Sequence, residues 1–333
     1  MSLLERARER ARGLITLREA PPPPWPPAAL SLALQGGGSF GAFGWGVLDR
    51  LLEEQEIRFD AISGSSAGAV NAVVLTSGLI EGGREGARGR LAQFWKRVSA
   101  SAGFVPPVAP GFDLLLRALS PYQFNPFNVN PLREALEAEV DFERLRGSSK
   151  VKLLIGVTRV RDGRLRILTN TELSIEAVLA STCLPLLHHT VELDGEGYWD
   201  GGYAANPPLI PLVRASDADH VLIVQLTPTT WDRAPTTTRD IAKRLEQIQF
   251  NATLTSDIET LRYGKMIGAT AKLRRLRIGR ISAEEQFAGL AEESAADIGW
   301  EFLERLRDAG RAGAASWLNR DMPALPGRTP PRF

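Results

Sequence analysis

One serine of this chain stands in a pattern that can make its hydroxyl reactive. Gly64-Ser65-Ser66-Ala67-Gly68 is a G-x-S-x-G that follows the run 59–63 and precedes small, helix-compatible residues. The two glycines allow a strand and a helix to approach closely around a tight turn. The pattern therefore predicts a nucleophile elbow that presents Ser66. A small-residue turn without chemistry is the plainer alternative.

A glycine-rich segment earlier in the chain is suited to binding an anion. Gly36-Gly37-Gly38-Ser39-Phe40-Gly41 lies between a predicted strand and a predicted helix, where backbone N–H groups face a ligand. One candidate is the oxyanion of an acyl intermediate, bound by the N–H groups of Gly37 and Gly38. The other is a dinucleotide phosphate on the G-x-G-x-x-G of this segment, with Asp60 binding ribose. The neighbouring elbow favours the oxyanion. A ribose-binding acid should lie at the end of the second strand, whereas Asp60 lies near the start of that strand.

A serine nucleophile also needs a base. The chain has three histidines: His188, His189 and His220. A triad in α/β-hydrolase order needs a histidine in a late loop after the acid. His188 and His189 precede Asp200, and His220 begins an apolar strand, so a triad fits this sequence badly. The acid of Asp200-Gly201-Gly202 fits better, because Tyr198 and Trp199 can shield it from water. A desolvated carboxylate has a raised proton affinity and can take the Ser66 proton directly. An Asp-Gly turn without chemistry is the alternative.

Together the three motifs resemble those of the patatin-like phospholipase family. The similarity rests on the glycine segment, on the elbow within 62–69, and on Asp200-Gly201-Gly202 with Asn206-Pro207 after it. The resemblance implies a three-layer α/β/α fold with a mainly parallel central sheet. It also implies a Ser66–Asp200 dyad that hydrolyses lipid acyl esters, in the manner of a phospholipase A or esterase, without metal or cofactor. Phe40 stands where the family often has Arg or Lys. Without that cation we expect weaker stabilisation of the anion, or a weaker preference for charged head groups.

Composition narrows the function further. The 333 residues are 44% hydrophobic and 24% charged with a net charge of +1, which is typical of a soluble globular protein and gives no bulk attraction to nucleic acid. The single cysteine, Cys183, excludes an internal disulfide and a CxxC metal site. The first residues lack the apolar core of a signal peptide, so we expect a cytoplasmic protein. The family resemblance, with its lipid substrates, implies that any membrane contact is peripheral. Two other functions stay open: a non-catalytic binding protein of the same fold, and a dinucleotide-binding oxidoreductase.

The predicted elements place the motifs at the ends of strands. Alternating strands and helices predict an α/β unit with a parallel sheet. Strands are predicted at 30–35, 59–63, 151–157, 165–168 and 221–226, and helices at 42–54, 67–78, 175–181, 239–262 and 284–306. We expect a basic arm and Pro-rich linker at 1–28 and a catalytic domain at 29–230, with 99–131 as a candidate cap. A helical extension at 231–333 is expected to pack on the same domain.

Overall fold

A central sheet organises the computed structural model, which describes residues 25–101, 119–291 and 293–319. Five neighbouring strands, in the order β3-β2-β1-β7-β8, are parallel. β4, β5 and β6 pair antiparallel at the β3 side. The strands are β1 Ala29–Leu34, β2 Arg58–Gly64, β3 Lys152–Arg159, β4 Leu165–Thr169, β5 Val191–Leu193, β6 Glu196–Asp200, β7 His220–Gln225 and β8 Arg277–Ser282. The mainly parallel sheet confirms the predicted fold class.

Helices cover both faces of this sheet. They are α1 Gly41–Leu51, α2 Ala67–Ala100, α3 Pro121–Phe124, α4 Pro131–Glu139, α5 Phe142–Arg146, α6 Ile175–Ser181, α7 Leu209–Ala215, α8 Thr238–Met266, α9 Ala271–Arg275, α10 Ala283–Gln286 and α11 Trp300–Asn319. Short 3-10 turns lie at Gly38–Phe40, Asn170–Glu172 and Gly201–Tyr203. Ser174 caps α6 as predicted, because its side chain accepts a hydrogen bond from the N–H of Ala177.

The alternation of side chains along the strands explains the three layers. On β1, Leu32 and Leu34 join one buried cluster with α1, α2 and α11, whereas Ala33 joins a second cluster with α7 and α8. On β7, Leu222 and Val224 belong to the first cluster and Ile223 to the second. Successive side chains of a strand point to opposite faces, so each apolar strand supplies both cores.

Two predicted helices end elsewhere in the structure. The helix predicted to end at Gly78 continues to residue 100, with a break at Gly82 and Gly83, where φ is +61° at the second glycine. Gly78 is needed instead for close packing, since a Cβ there would overlap the backbone of Ala87. The single helix predicted at 284–306 is wrong. α10 ends at Gln286, Gly289 has a φ of +76°, and α11 begins only at Trp300.

The ends of the predicted domains are described only in part. The basic arm up to residue 24, residues 102–118 of the candidate cap and residues 320–333 lie outside the described residues. The end of the linker is anchored, because the Trp25 ring packs 4.6 Å from that of Trp317 and its Nε1 donates to the carbonyl of Leu318. The expected helical extension also contributes a strand, β8, which pairs in parallel with β7.

Candidate active site

The predicted elbow lies between β2 and α2 at the carboxyl edge of the sheet. Ser66 has φ 55° and ψ −127°, a conformation that a residue with a side chain rarely adopts. The two motif glycines allow the turn to close: a Cβ on Gly68 would overlap the carbonyl of Leu34, and one on Gly64 would overlap the backbone of Gly68. The elbow thus holds Ser66, 9% exposed, at the tip of a tight turn between β2 and α2.

The candidate base is a completely buried carboxylate. Asp200 ends β6 and is 0% exposed, and its backbone N–H donates to the carbonyl of Cys183 over 2.8 Å. Its Oδ1 accepts a hydrogen bond of 2.7 Å from the N–H of Gly202. The glycines after it are required by close contacts: a Cβ on Gly201 would overlap the carbonyl of Gly156, and one on Gly202 would overlap the ring of Phe250.

Burial dominates the proton affinity of this carboxylate. It raises the pKa of Asp200 to about 7, against opposing contributions from the Ser66 side chain and the N–H of Gly202, and with a further rise from the charge of Glu246. Asp200 Oδ2 nevertheless has no hydrogen bond of normal geometry to any described residue. The Ser66 side chain is close enough to Asp200 to lower this pKa, but no hydrogen bond of normal geometry joins the two side chains.

The glycine segment presents unused donors beside the elbow. Within the part of the chain that the structure describes, the N–H groups of Gly37 and Gly38 meet no acceptor. Gly38 has a φ of +57°, and a Cβ there would overlap the carbonyl of Ala295. A Cβ on Gly36 would lie 2.6 Å from the Cβ of Ser66, so the segment runs directly past the candidate nucleophile. Gly41 is as close to the elbow, because a Cβ there would lie 2.7 Å from that of Ala67.

Two buried residues to which the sequence assigned no role, Asn206 and Ser181, hold these parts together. Asn206 Oδ1 accepts from the N–H of Gly36 at 2.6 Å, and its Nδ2 donates to the carbonyl of Gly36 at 3.3 Å. This side chain ties the glycine segment to the chain that follows Asp200. Ser181 fixes the elbow, since its carbonyl and its Oγ both accept from the N–H of Ser66 at 3.1 Å. The Asn-Pro after the acid motif was a sequence signal for Asn206, whereas nothing marked Ser181.

The competing candidates lie elsewhere. Asp60 and His220 lie near the starts of β2 and β7, at the amino edge of the sheet opposite the elbow. A ribose-binding acid at Asp60 is therefore not supported. His189 stacks on the ring of Tyr122 at 4.1 Å, and no histidine is a hydrogen-bond partner of Ser66 or Asp200. Phe40 is 4% exposed and packs edge-on against Phe302, so its ring faces the core.

Among the described residues, no group of three or more His, Cys, Asp or Glu side chains is arranged to hold a metal ion. None of the helices described is long and apolar enough to cross a bilayer.

Comparison with known proteins identifies the family. The model of the patatin-like phospholipase family matches residues 32–213, more than half of the 333 residues, so the chain belongs to that family. Its members are lipid hydrolases, and this confirms the resemblance that the three motifs indicated. No curated protein matches the sequence.

Two solved structures are distantly similar. VipD from Legionella pneumophila is 17% identical over 88% of this chain and 67% of its own, with a TM-score of 0.45. The ExoU–SpcU complex from the type III secretion system of Pseudomonas aeruginosa gives 18% identity over 71% of this chain, with a TM-score of 0.35. The match covers only 52% of that chain, about half of its length.

Proposed function

We propose that this protein is a serine hydrolase of lipid acyl esters, of the phospholipase A or esterase type, in which Ser66 is the nucleophile and Asp200 the base. One observation carries the proposal: a serine in a strained elbow lies near a fully buried carboxylate whose pKa is raised to about 7. A general base is most effective when its pKa lies close to the working pH. An ordinary exposed aspartate would be too weak a base for a serine hydroxyl.

The proposed reaction has two halves that use the same groups. Asp200 accepts the proton of Ser66 while Oγ attacks the ester carbonyl, and the N–H groups of Gly37 and Gly38 bind the developing oxyanion. Collapse of this intermediate expels the alcohol, which takes the proton from Asp200, and leaves an acyl-serine. Water then attacks the acyl-serine while Asp200 accepts a proton from it. Asp200 returns that proton to Ser66 Oγ as the fatty acid is released.

The hydrogen bonds around the site support these roles for the glycine N–H groups and for Ser66. Asn206 fixes the backbone of Gly36, and Ser181 fixes that of Ser66, so donors and nucleophile are preorganised. Since Phe40 faces the core, the oxyanion is stabilised in this proposal by neutral N–H groups without a cation from that position. We expect head-group charge to contribute little to recognition at this part of the site.

A serine-directed fluorophosphonate and an ester assay test the proposal. Ser66→Ala should abolish both covalent labelling, read by mass spectrometry, and hydrolysis, with a loss of about a thousandfold or more. Ser63→Ala is the matched control, because the Ser63 hydroxyl is buried three residues away without a hydrogen-bond partner among the described residues. It should retain labelling and turnover.

Labelling of another residue, or unchanged hydrolysis in Ser66→Ala, would overturn the proposed nucleophile. If the wild-type protein is neither labelled nor active on soluble esters or on phospholipids, the non-catalytic binding protein becomes the better description.

A further inference from the structure

Five large apolar side chains are exposed on two short segments beside the candidate site. Their exposed fractions run from 50% to 88%, and we call them the apolar rim: Tyr122, Phe127, Val129, Leu186 and Leu187. Single exposed apolar residues are common on soluble proteins, but a group of them in one place usually marks an interaction site.

The two segments form one surface. The Tyr122 ring stacks on His189 at 4.1 Å, and its hydroxyl accepts a hydrogen bond of 3.2 Å from the N–H of Thr190. A ring nitrogen of His189 lies 3.2 Å from the carbonyl of Pro121. These contacts join the start of the 121–129 segment to the end of the 184–190 segment, so the two segments are neighbours on the surface.

Phe127 lies within a hydrogen-bonded turn of residues 125–129. The side chain of Asn125 accepts from the N–H of Val129 at 2.9 Å and donates to its carbonyl at 3.0 Å, while Asn128 adopts a φ of +51°. The N–H of Asn128 donates to the carbonyl of Asn125. The backbone groups bonded in this way need no water, which lowers the penalty for moving the turn into an apolar medium.

The charge of these segments selects among partners. Residues 119–132 and 177–191 contain no Asp, Glu, Lys or Arg. Nucleic acid or an acidic protein surface would require cations here. An uncharged surface tipped by Phe, Leu and Tyr suits the boundary between the head groups and acyl chains of a lipid layer.

The rim is also joined to the candidate catalytic groups by a very short stretch of chain. The carbonyl of Ser181 binds the N–H of Ser66, and the carbonyl of Cys183 binds the N–H of Asp200. Leu186 and Leu187 follow Cys183 by three and four residues. A lipid layer that contacts the rim would therefore lie close to the elbow.

We propose that the apolar rim is the surface by which this protein inserts into a lipid layer with uncharged or zwitterionic head groups. The proposal deepens, and rests on, the proposed hydrolysis of lipid esters, for which it supplies the route of the substrate. Insertion is driven by burial of the exposed side chains, so it does not depend on anionic lipid or on low salt.

A second surface offers a competing mode of attachment and supplies the control. Residues 260–283 hold seven cations and no acid. Met266 and Ile267 are exposed in this region by 75% and 56%, next to the amino edge of β8, opposite the elbow. Attachment there would require anionic lipid and would weaken in salt.

Binding is tested with the full chain carrying Ser66→Ala, so that no lipid is hydrolysed. Sedimentation with phosphatidylcholine vesicles should show binding that persists in about 0.5 M NaCl. Adding Phe127→Ser and Leu186→Ser should weaken it about tenfold or more, whereas adding Met266→Ser and Ile267→Ser should not. All four side chains are at least half exposed, and circular dichroism verifies that the fold is kept.

A fluorescent probe locates the contact. Cys183 is buried, so an environment-sensitive thiol fluorophore reacts selectively with a cysteine introduced by Leu186→Cys or, as control, by Met266→Cys. The first probe should shift to the blue with phosphatidylcholine vesicles and the second should not.

Three results would overturn the proposal: no binding to these vesicles, an unchanged affinity in the rim variant, or binding that needs anionic lipid and is lost in the Met266 and Ile267 variant. Each result is independent of turnover. Failure of the proposed hydrolysis would appear instead as inactivity of the wild type on soluble short-chain esters. Phe127→Ser and Leu186→Ser, made in the chain that keeps Ser66, should match the wild type on those esters.

Discussion

Two aspartates lie buried near opposite edges of the same sheet, and their surroundings differ. Asp60 near the start of β2 is 6% exposed, and its Oδ2 accepts from the N–H groups of Asp217 and Ala218 and from the Ser216 hydroxyl. Asp200 at the end of β6 is 0% exposed, and only its Oδ1 accepts a hydrogen bond of normal geometry from a described residue.

The difference sets the two proton affinities in opposite directions. Burial would raise the pKa of Asp60, but its hydrogen bonds and the charge of Lys152, 3.9 Å away, outweigh burial and lower that pKa. Burial prevails at Asp200, whose pKa is raised to about 7. Desolvation with full hydrogen bonding produces a structural anion, whereas desolvation with few donors produces a base.

The largest expected effect separates the two carboxylates by activity. Asp200→Asn removes the proposed base and should lower kcat by about a hundredfold to ten-thousandfold. Asp60→Asn, near the far edge of the sheet, should leave kcat within about twofold, since it touches no group of the proposed reaction. Kinetics on a soluble ester, with the folded fraction checked by circular dichroism, decide the point. Comparable losses in both variants would contradict the assignment.

The pH dependence of the wild-type enzyme tests the raised pKa itself. Only ionised Asp200 can accept the Ser66 proton, so activity should increase as the pH rises through about 7. Below that value kcat/KM should fall about tenfold for each pH unit, in a profile measured from about pH 5 to about pH 9. A midpoint near the ordinary aspartate pKa would show that Asp200 is not the base.

A smaller effect should appear in stability, with opposite signs at the two sites. The folded pKa of Asp60 is lowered, so its contribution to stability is present at neutral pH and is lost as the pH falls through the folded pKa. The folded pKa of Asp200 is raised, so its contribution is complete below the ordinary value of 3.8 and is lost as the pH rises to about 7.

At about pH 8, Asp60→Asn should therefore lower the free energy of unfolding by about 1–3 kcal/mol. Asp200→Asn should raise it by about 2–4 kcal/mol, because the variant buries no charge. Urea unfolding at about pH 8 and about pH 5 measures both differences, and the gain at Asp200 should shrink at the lower pH. A loss of stability in Asp200→Asn at pH 8 would mean that Asp200 is held as a structural anion.

Much of this site could be predicted from the sequence because its motifs are local. Gly64 and Gly68 are required by a turn of five residues, and a short apolar strand before them and small residues after them predict that turn. The parallel order of β1 and β2 follows from the strand–helix–strand pattern. The end of α2 could not be predicted, since Gly78, which is typical of a helix end, is explained by a contact with Ala87 that only the folded chain forms. The start of α11 could not be predicted either.

The sequence by itself determined the family, the mainly parallel sheet and the candidate residues Ser66, Asp200 and Gly36–Gly41, because each depends on residue types at short spacing. The tertiary structure decided which aspartate is short of hydrogen-bond donors, how Asn206 joins two distant segments, and where Phe127 and Leu186 are exposed. These features depend on contacts between residues far apart in the chain, and burial and hydrogen bonding at such contacts set proton affinity and exposure.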